Sequence, residues 1–180
     1  MQTPMNPAAI GQGYAHLICP LKNNKYLHME NLEIKAAIQI QKPATEVFQA
    51  IVDPEKMSNY FIGSSTGQLI EGTSVTWEFP EFPGDVLIEV TKVIPGELVF
   101  FNWEGARGKK LLVKISLREL EDRSTVVRVT EGKMEADKAG IEWFGGNTEG
   151  WANFLACLKA YLEYGINLRT GAFEFRRGEM

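Results

Sequence analysis

One carboxylate and one phenol are the strongest candidates for chemistry in this sequence. Glu131 follows Val127 and Val129 at two-residue spacing, so on a strand it shares their inward face. A carboxylate held away from water at such a position can act as a general acid or base. The alternative is that Glu131, next to Gly132, lies at a rim in contact with water. Tyr60, at the end of a predicted short helix, is placed to close the mouth of a pocket.

No larger catalytic or metal-binding constellation is found in the sequence. Both histidines, His16 and His28, precede the predicted domain, which leaves no Ser-His-Asp set within it. No spacing of Cys, His, Asp and Glu fits a metal site. The loop between Gly63 and Gly67 is not followed by the lysine of a phosphate-binding P-loop. We therefore predict neither a metal nor a cofactor.

Large aromatic side chains dominate the positions that the sequence pattern directs inward. Rigid apolar walls with a few polar tips are typical of small-molecule pockets, although the same rings also fill ordinary cores. The predicted ligand-binding residues from the strands are Trp77, Phe79, Phe101, Trp103 and Glu131, and those from the helical regions are Tyr60, Trp143, Trp151, Phe154, Leu158 and Tyr161.

A long amphipathic helix over residues 147–169 is the element that must position these groups. Apolar residues recur three or four positions apart from Trp151 to Ile166, which places them on one helical face. Asn147 or Thr148 can cap the start. A helix of this length with an aromatic face needs a large apolar surface, and we expect a sheet to supply it.

The segments that flank this helix are predicted to be irregular. Residues 134–146 contain glycines and are predicted as a connection into the helix. Inside the helix, Cys157 falls near the buried face and is predicted to be a packed apolar group, not a nucleophile. The tail, residues 170–180, has Phe173 and Phe175 in alternation; it could dock on the sheet edge or on a partner, or be a frayed terminus.

One strand, two short helices and six further strands are predicted before the long helix. Residues 32–41 alternate apolar and polar side chains, as in a half-buried strand. Asp53 and Pro54 separate the two short helices. Turns at hairpin spacing then divide a meander that starts with a strand at 67–70. The fold class is α+β: a curved antiparallel sheet of about seven strands wrapped round the terminal helix, with a cavity between them.

Length and charge narrow the classes of function. The 180 residues are predicted to hold a leader at 1–30, disordered or packed as an arm, one domain at 31–169 and a tail at 170–180. The leader lacks the basic start and apolar run of a signal peptide. A net charge of −4 argues against a nucleic-acid partner, and no apolar run is long enough to span a membrane. Two cysteines make no disulfide framework, so the expected location is cytoplasmic.

The order and spacing of several short motifs resemble those of a known family. These motifs are PATEVF at 43–48, DPEKM at 53–57, PGEL at 95–98, EG at 131–132 and GW at 150–151. Together they are similar to the activator-of-heat-shock-chaperone-ATPase homologue family of the START-like, or SRPBCC, superfamily, over residues 32–169. The resemblance implies a helix-grip fold with a deep cavity under the terminal helix. That superfamily includes lipid carriers, polyketide cyclases and chaperone regulators, so the fold leaves the activity open.

Three functions remain as hypotheses. The preferred one is binding of a small hydrophobic or amphipathic ligand between sheet and helix. The second is a protein-interaction module that regulates a chaperone, with a role in the stress response, or another partner. The third is a cofactor-free cyclase- or hydrolase-like enzyme that uses Glu131 or Tyr60 as its acid or base. The chain is expected to be a monomer or a homodimer.

Overall fold

The computed structural model describes residues 31–175. The predicted leader and the last five residues of the tail lie outside the described residues. The elements in chain order are β1 (Asn31–Ile40), α1 (Ala44–Val52), α2 (Pro54–Met57), β2 (Ser64–Ser65), β3 (Ser74–Glu78), β4 (Asp85–Ile94), β5 (Leu98–Ala106), β6 (Lys109–Glu119), β7 (Thr125–Glu135) and α3 (Lys138–Tyr164).

The seven strands form one antiparallel sheet in the order β1-β7-β6-β5-β4-β3-β2. Hairpins join neighbours from β3 to β7, whereas β1 pairs with β7 from the other end of the chain. That pairing sets Ile34 opposite Glu131. With the long helix at the C-terminal end and two short helices after β1, the predicted helix-grip fold is confirmed.

Two short helices follow β1 because the local sequence starts and stops them. The apolar residues Val47, Phe48 and Ile51 form the buried side of α1. Asp53 ends α1 and caps α2, since its side chain accepts a 2.9 Å hydrogen bond from the backbone N–H of Glu55. α1 contacts α2 and packs against β6 and α3.

The core lies between one face of the sheet and α3, which packs against β1, β7 and β5. Alternating strand residues supply one side of it, as half-buried strands require. The fully buried members include Ile34, Ile88, Val99, Phe101, Val113, Val127 and Val129 from the sheet and Leu158 from α3. Cys157 is also buried, as predicted, and burial raises the pKa of its thiol.

The predicted start of the long helix at residue 147 is wrong. The helix begins at Lys138, and its N-cap is Asp137, whose carboxylate accepts a 2.7 Å hydrogen bond from the backbone N–H of Gly140. Residues 134–146 were predicted as a glycine-containing connection, and Gly145 and Gly146 stand at its end. Glycine weakens a helix by only about 1 kcal/mol relative to alanine, and tertiary packing overrides that. The predicted connection at 134–146 is therefore mostly helix.

The helix also ends earlier than predicted. Gly165 is the C-cap at φ +65°, and its N–H donates to the carbonyl of Tyr161 at 2.9 Å. Ile166 consequently lies beyond the helix and is half exposed rather than part of the apolar face. Within residues 31–175, no helix has the length and apolar character needed to cross a membrane.

The first strand of the meander is also displaced from its prediction. The strand is Ser64–Ser65, which pairs with β3, and residues 67–70 form no strand. Leu69 is buried there, and its backbone N–H donates to the carbonyl of Val52 at the end of α1, 3.1 Å away. That bond anchors the segment to a helix end, which replaces the strand pairing that the pattern predicted.

Candidate functional site

An open cleft of about 510 Å³ lies between α3 and the strands beneath it. Five parts of the chain form it: the segment after α2, the β3–β4 loop with the start of β4, the end of β5, α3 near residue 150, and the segment after α3. The apolar lining residues are Phe61, Phe79, Phe82, Val86, Trp103, Trp151 and Phe173, and the polar ones include Asp85, Glu104, Asn147, Asn153 and Arg169.

Aromatic rings in the floor of this cleft and directly behind it hold one another in place. Phe61 meets Phe154 edge-on with ring centroids 4.7 Å apart, and meets Phe79 edge-on at 5.3 Å. Trp103 and Trp151, which line the cleft from β5 and α3, are 5.4 Å apart. Such pairs add about 0.5–1.5 kcal/mol each beyond their buried area, so the floor is a rigid surface.

Behind this floor, Glu131 accepts hydrogen bonds from three tryptophans. The indole nitrogen of Trp103 is 2.8 Å from Oε1, that of Trp143 is 3.3 Å from Oε1, and that of Trp151 is 2.6 Å from Oε2. The side-chain amide of Asn147 donates to both oxygens at 3.2 Å. We call Glu131, these three tryptophans and Asn147 the indole cage.

The indole cage joins three elements that are distant in sequence. Glu131 comes from β7, Trp103 from β5, and the other donors come from α3. Asn147 also donates to the carbonyl of Gly105 at 3.0 Å. A Cβ atom at Gly105 would lie 2.0 Å from Glu131 Oε1 and 2.7 Å from the indole nitrogen of Trp103. Only glycine therefore allows β5 to approach the carboxylate this closely.

Glu131 has a structural role in this arrangement. Every partner is an N–H donor, which matches an ionised carboxylate because that group only accepts. The side chain is 1% exposed and does not line the cleft. A substrate in the cleft therefore has no access to it as an acid or base. The prediction that Glu131 lies on the inward face of its strand is confirmed, and the alternative position at a rim is wrong. The hydrogen-bond partners of Glu131 lie on other elements, so the residue pattern of one strand cannot reveal them.

The predicted position of Tyr60 at a pocket mouth is wrong. Its ring is fully buried, 5.5 Å from the ring of Tyr161 and 5.8 Å from that of Phe154. The hydroxyl donates to the carbonyl of Ala50 at 3.0 Å. Burial raises the pKa of Tyr60 well above its ordinary value. The phenol is thus held in the core: α2 ends at Met57 instead of Tyr60, and the turn after it directs Tyr60 inward rather than to an opening.

The predicted ligand-binding residues divide between the cleft and the core behind it. Phe79, Trp103 and Trp151 line the cleft. The others do not line it: Trp77, Phe101, Trp143, Phe154 and Leu158 are buried, and Tyr161 is half-buried against Tyr60. The cleft thus occupies one end of the space between sheet and helix, while aromatic packing fills the part beneath Leu158 and Tyr161.

Sequence reasoning missed an ion pair at the edge of the cleft. Arg169 Nη2 lies 2.7 Å from Glu81 Oε2, and the two side chains are 14% and 8% exposed. The guanidinium also lies 4.9 Å from the ring centroid of Phe173 and 5.6 Å from that of Phe79. The sequence pattern predicted that Arg169 belongs to the helix, but the helix ends at Gly165, four residues earlier. The helix-ending glycine was the signal that could have placed Arg169 in a segment that folds back.

The cleft offers few groups for ionic or metal chemistry. Asp85 and Glu104 are exposed at its edge, and one oxygen of Glu104 already accepts the backbone N–H of Gly108 at 2.8 Å. Across residues 31–175, no three potential metal ligands come together. A large apolar area with a few polar atoms suits the burial of a small organic molecule.

Comparison with known proteins places this arrangement in a family. The family model described as "Activator of Hsp90 ATPase homolog 1-like protein" matches residues 41–163. Protein SSP2350 from Staphylococcus saprophyticus is 32% identical, with a TM-score of 0.66 over 77% of this chain and 96% of that one. Comparison with curated proteins gives no match.

Two more distant structures share the fold. The solution structure of the Aha1 dimer from Colwellia psychrerythraea is 24% identical, with a TM-score of 0.63 over 74% of this chain and 98% of that one. CalU16 from Micromonospora echinospora is 21% identical, with a TM-score of 0.58 over 82% of this chain and 84% of that one. At these identities the likeness concerns the fold alone.

Proposed function

We propose that this chain, which belongs to the Activator of Hsp90 ATPase homolog 1-like protein family, binds a small, mostly apolar molecule in the cleft between α3 and the sheet. The observation that carries the proposal is the aromatic lining of a cleft of about 510 Å³. Pockets that bury drug-sized ligands have volumes of roughly 300–1,000 Å³ and the same apolar character.

The rigidity of the cleft floor supports this proposal. Trp103 and Trp151 present their rings to the cleft, while their indole nitrogens are bound from behind by Glu131. Each side chain that would otherwise be immobilised on binding costs about 0.5–1.5 kcal/mol. The indole cage removes that cost in advance, because the two rings are already ordered. Trp103 is half-buried and Trp151 is 2% exposed, so both rings reach the cleft from well-packed positions.

A glycine in α3 provides a way to block the cleft without disturbing the core. Gly150 lines the cleft, and a Cβ atom there would meet nothing within 4 Å. The variant Gly150→Trp therefore projects an indole into the cleft. Gly145 lies on the same helix, has the same open surroundings and does not line the cleft. Gly145→Trp is thus a matched control for the effect of a tryptophan on the helix.

The probe for this test is N-phenyl-1-naphthylamine, an uncharged dye whose fluorescence rises in apolar surroundings. We expect saturable binding of one dye per chain to the wild type and to Gly145→Trp, and loss of that binding in Gly150→Trp. Circular dichroism and thermal unfolding establish that both variants are folded. Absence of saturable binding to the wild type, or equal binding to both variants, would show that the cleft is not a ligand site.

A further inference from the structure

Arg169 carries a buried hydrogen-bond donor without a partner, the sole such side-chain atom found in residues 31–175. The atom is Nε of its guanidinium. Leaving a buried N–H unpaired is costly, and such groups in native structures require an explanation. Because Arg169 also lines the cleft, a ligand that enters the cleft is the candidate for the missing acceptor.

The geometry of the guanidinium identifies which edge remains to be filled. Glu81 Oε2 accepts from Nη2 at 2.7 Å. Nε and Nη2 lie side by side on one edge of the planar group, which normally binds two oxygens at once. Three rings surround the guanidinium, with centroids 4.9 Å (Phe173), 5.6 Å (Phe79) and 5.8 Å (Phe61) away. One oxygen on this edge is thus supplied by the protein and a second is not.

Phe173 is the ring that can yield most readily to an incoming group. Phe61 and Phe79 are each 8% exposed and belong to the core, whereas Phe173 is half-buried on a segment whose other residues are mostly exposed. A shift of the Phe173 side chain opens access to the guanidinium at the least cost in core packing.

Local charge decides what kind of oxygen fits. Arg169 is the single basic residue among those that line the cleft, and Asp85 and Glu104 are its acidic ones. Glu81 already neutralises Arg169. Because the charges of Arg169 and Glu81 cancel, a ligand carboxylate would join the two remaining negative charges of the cleft, and like charges repel. An uncharged carbonyl oxygen meets the same donor without that repulsion.

Building on the ligand-binding role proposed above, we infer that Arg169 Nε donates a hydrogen bond to an uncharged oxygen of the ligand. The ligand class is a mostly apolar molecule that carries a ketone, ester or amide carbonyl. Arg169 is then the residue that selects a ligand for its polar group, while the aromatic floor binds the apolar body.

Three probes that share the same three-ring skeleton test this assignment by equilibrium dialysis. Fluorene has a CH2 group where 9-fluorenone has a carbonyl, and fluorene-9-carboxylate carries a negative charge at the same position. We expect the wild type to bind 9-fluorenone about tenfold more tightly than fluorene, the lower bound for a hydrogen bond to a charged donor. The carboxylate is expected to bind more weakly than 9-fluorenone.

Arg169→Lys separates the hydrogen bond from the charge. Lysine keeps a positive charge for Glu81 but has no N–H at the Nε position. We expect this variant to bind fluorene as the wild type does and to lose the preference for 9-fluorenone. Arg128→Lys, on the exposed face of β7, is the matched control and should keep the preference.

The possible results separate failure of the Arg169 assignment from failure of the proposed ligand-binding function. Equal binding of fluorene and 9-fluorenone by the wild type would overturn the role of Arg169 and leave ligand binding standing. A preference that survives in Arg169→Lys, or tightest binding of the carboxylate, would overturn the assignment as well. If no probe binds, and the dye test on Gly150→Trp also fails, the proposed function itself is wrong. The wild-type comparison needs no variant, so it decides the question even if Arg169→Lys does not fold.

Discussion

Replacing Glu131 with glutamine changes one buried oxygen into an NH2 group at almost constant volume. The native carboxylate accepts five hydrogen bonds from four N–H donors, which are the side chains of Trp103, Trp143, Trp151 and Asn147. A glutamine amide has one acceptor oxygen. Its NH2 group can only donate, so it would face one of these N–H donors without forming a hydrogen bond. If the amide oxygen takes the Oε1 position, the 2.6 Å bond from Trp151 is lost and that indole N–H stays buried without an acceptor.

The size of the effect follows from two opposing terms. Hydrogen bonds to a charged group contribute about 1.5–3 kcal/mol each, and a buried donor left unpaired costs about 1–3 kcal/mol. Against this, the amide is less costly to bury than a carboxylate without a counter-ion. We expect Glu131→Gln to lower the free energy of unfolding by about 3 kcal/mol. At this chain length, the melting temperature should fall by roughly 6–12 °C.

Urea unfolding monitored by tryptophan fluorescence measures this change directly, because three of the four tryptophans belong to the indole cage. Glu135→Gln is the matched control, since Glu135 lies on the same strand with an exposed side chain. Its expected effect is within about 0.5 kcal/mol of zero. The reasoning is refuted if Glu131→Gln unfolds at the same urea concentration as this control.

Two further predictions concern other parts of the fold. Gly105→Ala should destabilise the protein by about 1–3 kcal/mol, because the added methyl group overpacks against Glu131. Gly145→Ala should be neutral or stabilise the protein by up to about 1 kcal/mol, because its surroundings are open and alanine favours the helix. Thermal unfolding of the two variants measures both effects. For Glu163, burial works to raise the pKa. The hydrogen bonds from Lys159 Nζ (2.5 Å) and from the backbone N–H of Gln41 (2.6 Å), together with the charge of Lys159, outweigh burial and hold the pKa below its usual 4.5. The resulting stabilisation is present above that usual pKa and is lost as the pH falls through the lowered one, so the difference in stability between wild type and Glu163→Gln should shrink in acid.

The pattern of apolar residues was sufficient to predict the fold, because the sheet and helix are built on periodic positions. Alternation along β7 placed Glu131 on the inward face next to Val129, and the structure confirms it. Helix boundaries were less accurate. Asp137 as a cap and Gly165 as a stop are single-residue signals, and the pair Gly145-Gly146 concealed the first of them.

The candidate site was only partly predictable, since its defining contacts join residues far apart in sequence. The indole cage joins Trp103 to Trp151 through Glu131, and nothing in any one segment indicates that their N–H groups converge. The pair of Arg169 and Glu81 spans 88 positions. Periodicity identifies which side chains point inward but not which of them line an opening, which explains why Tyr60 was misplaced.

The position of a bound molecule is the most direct test of the central claim. Intermolecular NOEs should be measured on the wild-type protein saturated with N-phenyl-1-naphthylamine. The account predicts contacts between protons of the dye and the indole ring protons of Trp103 and Trp151, which line the cleft. Contacts confined to exposed apolar residues outside it, such as Leu112 or Ile141, would contradict the account.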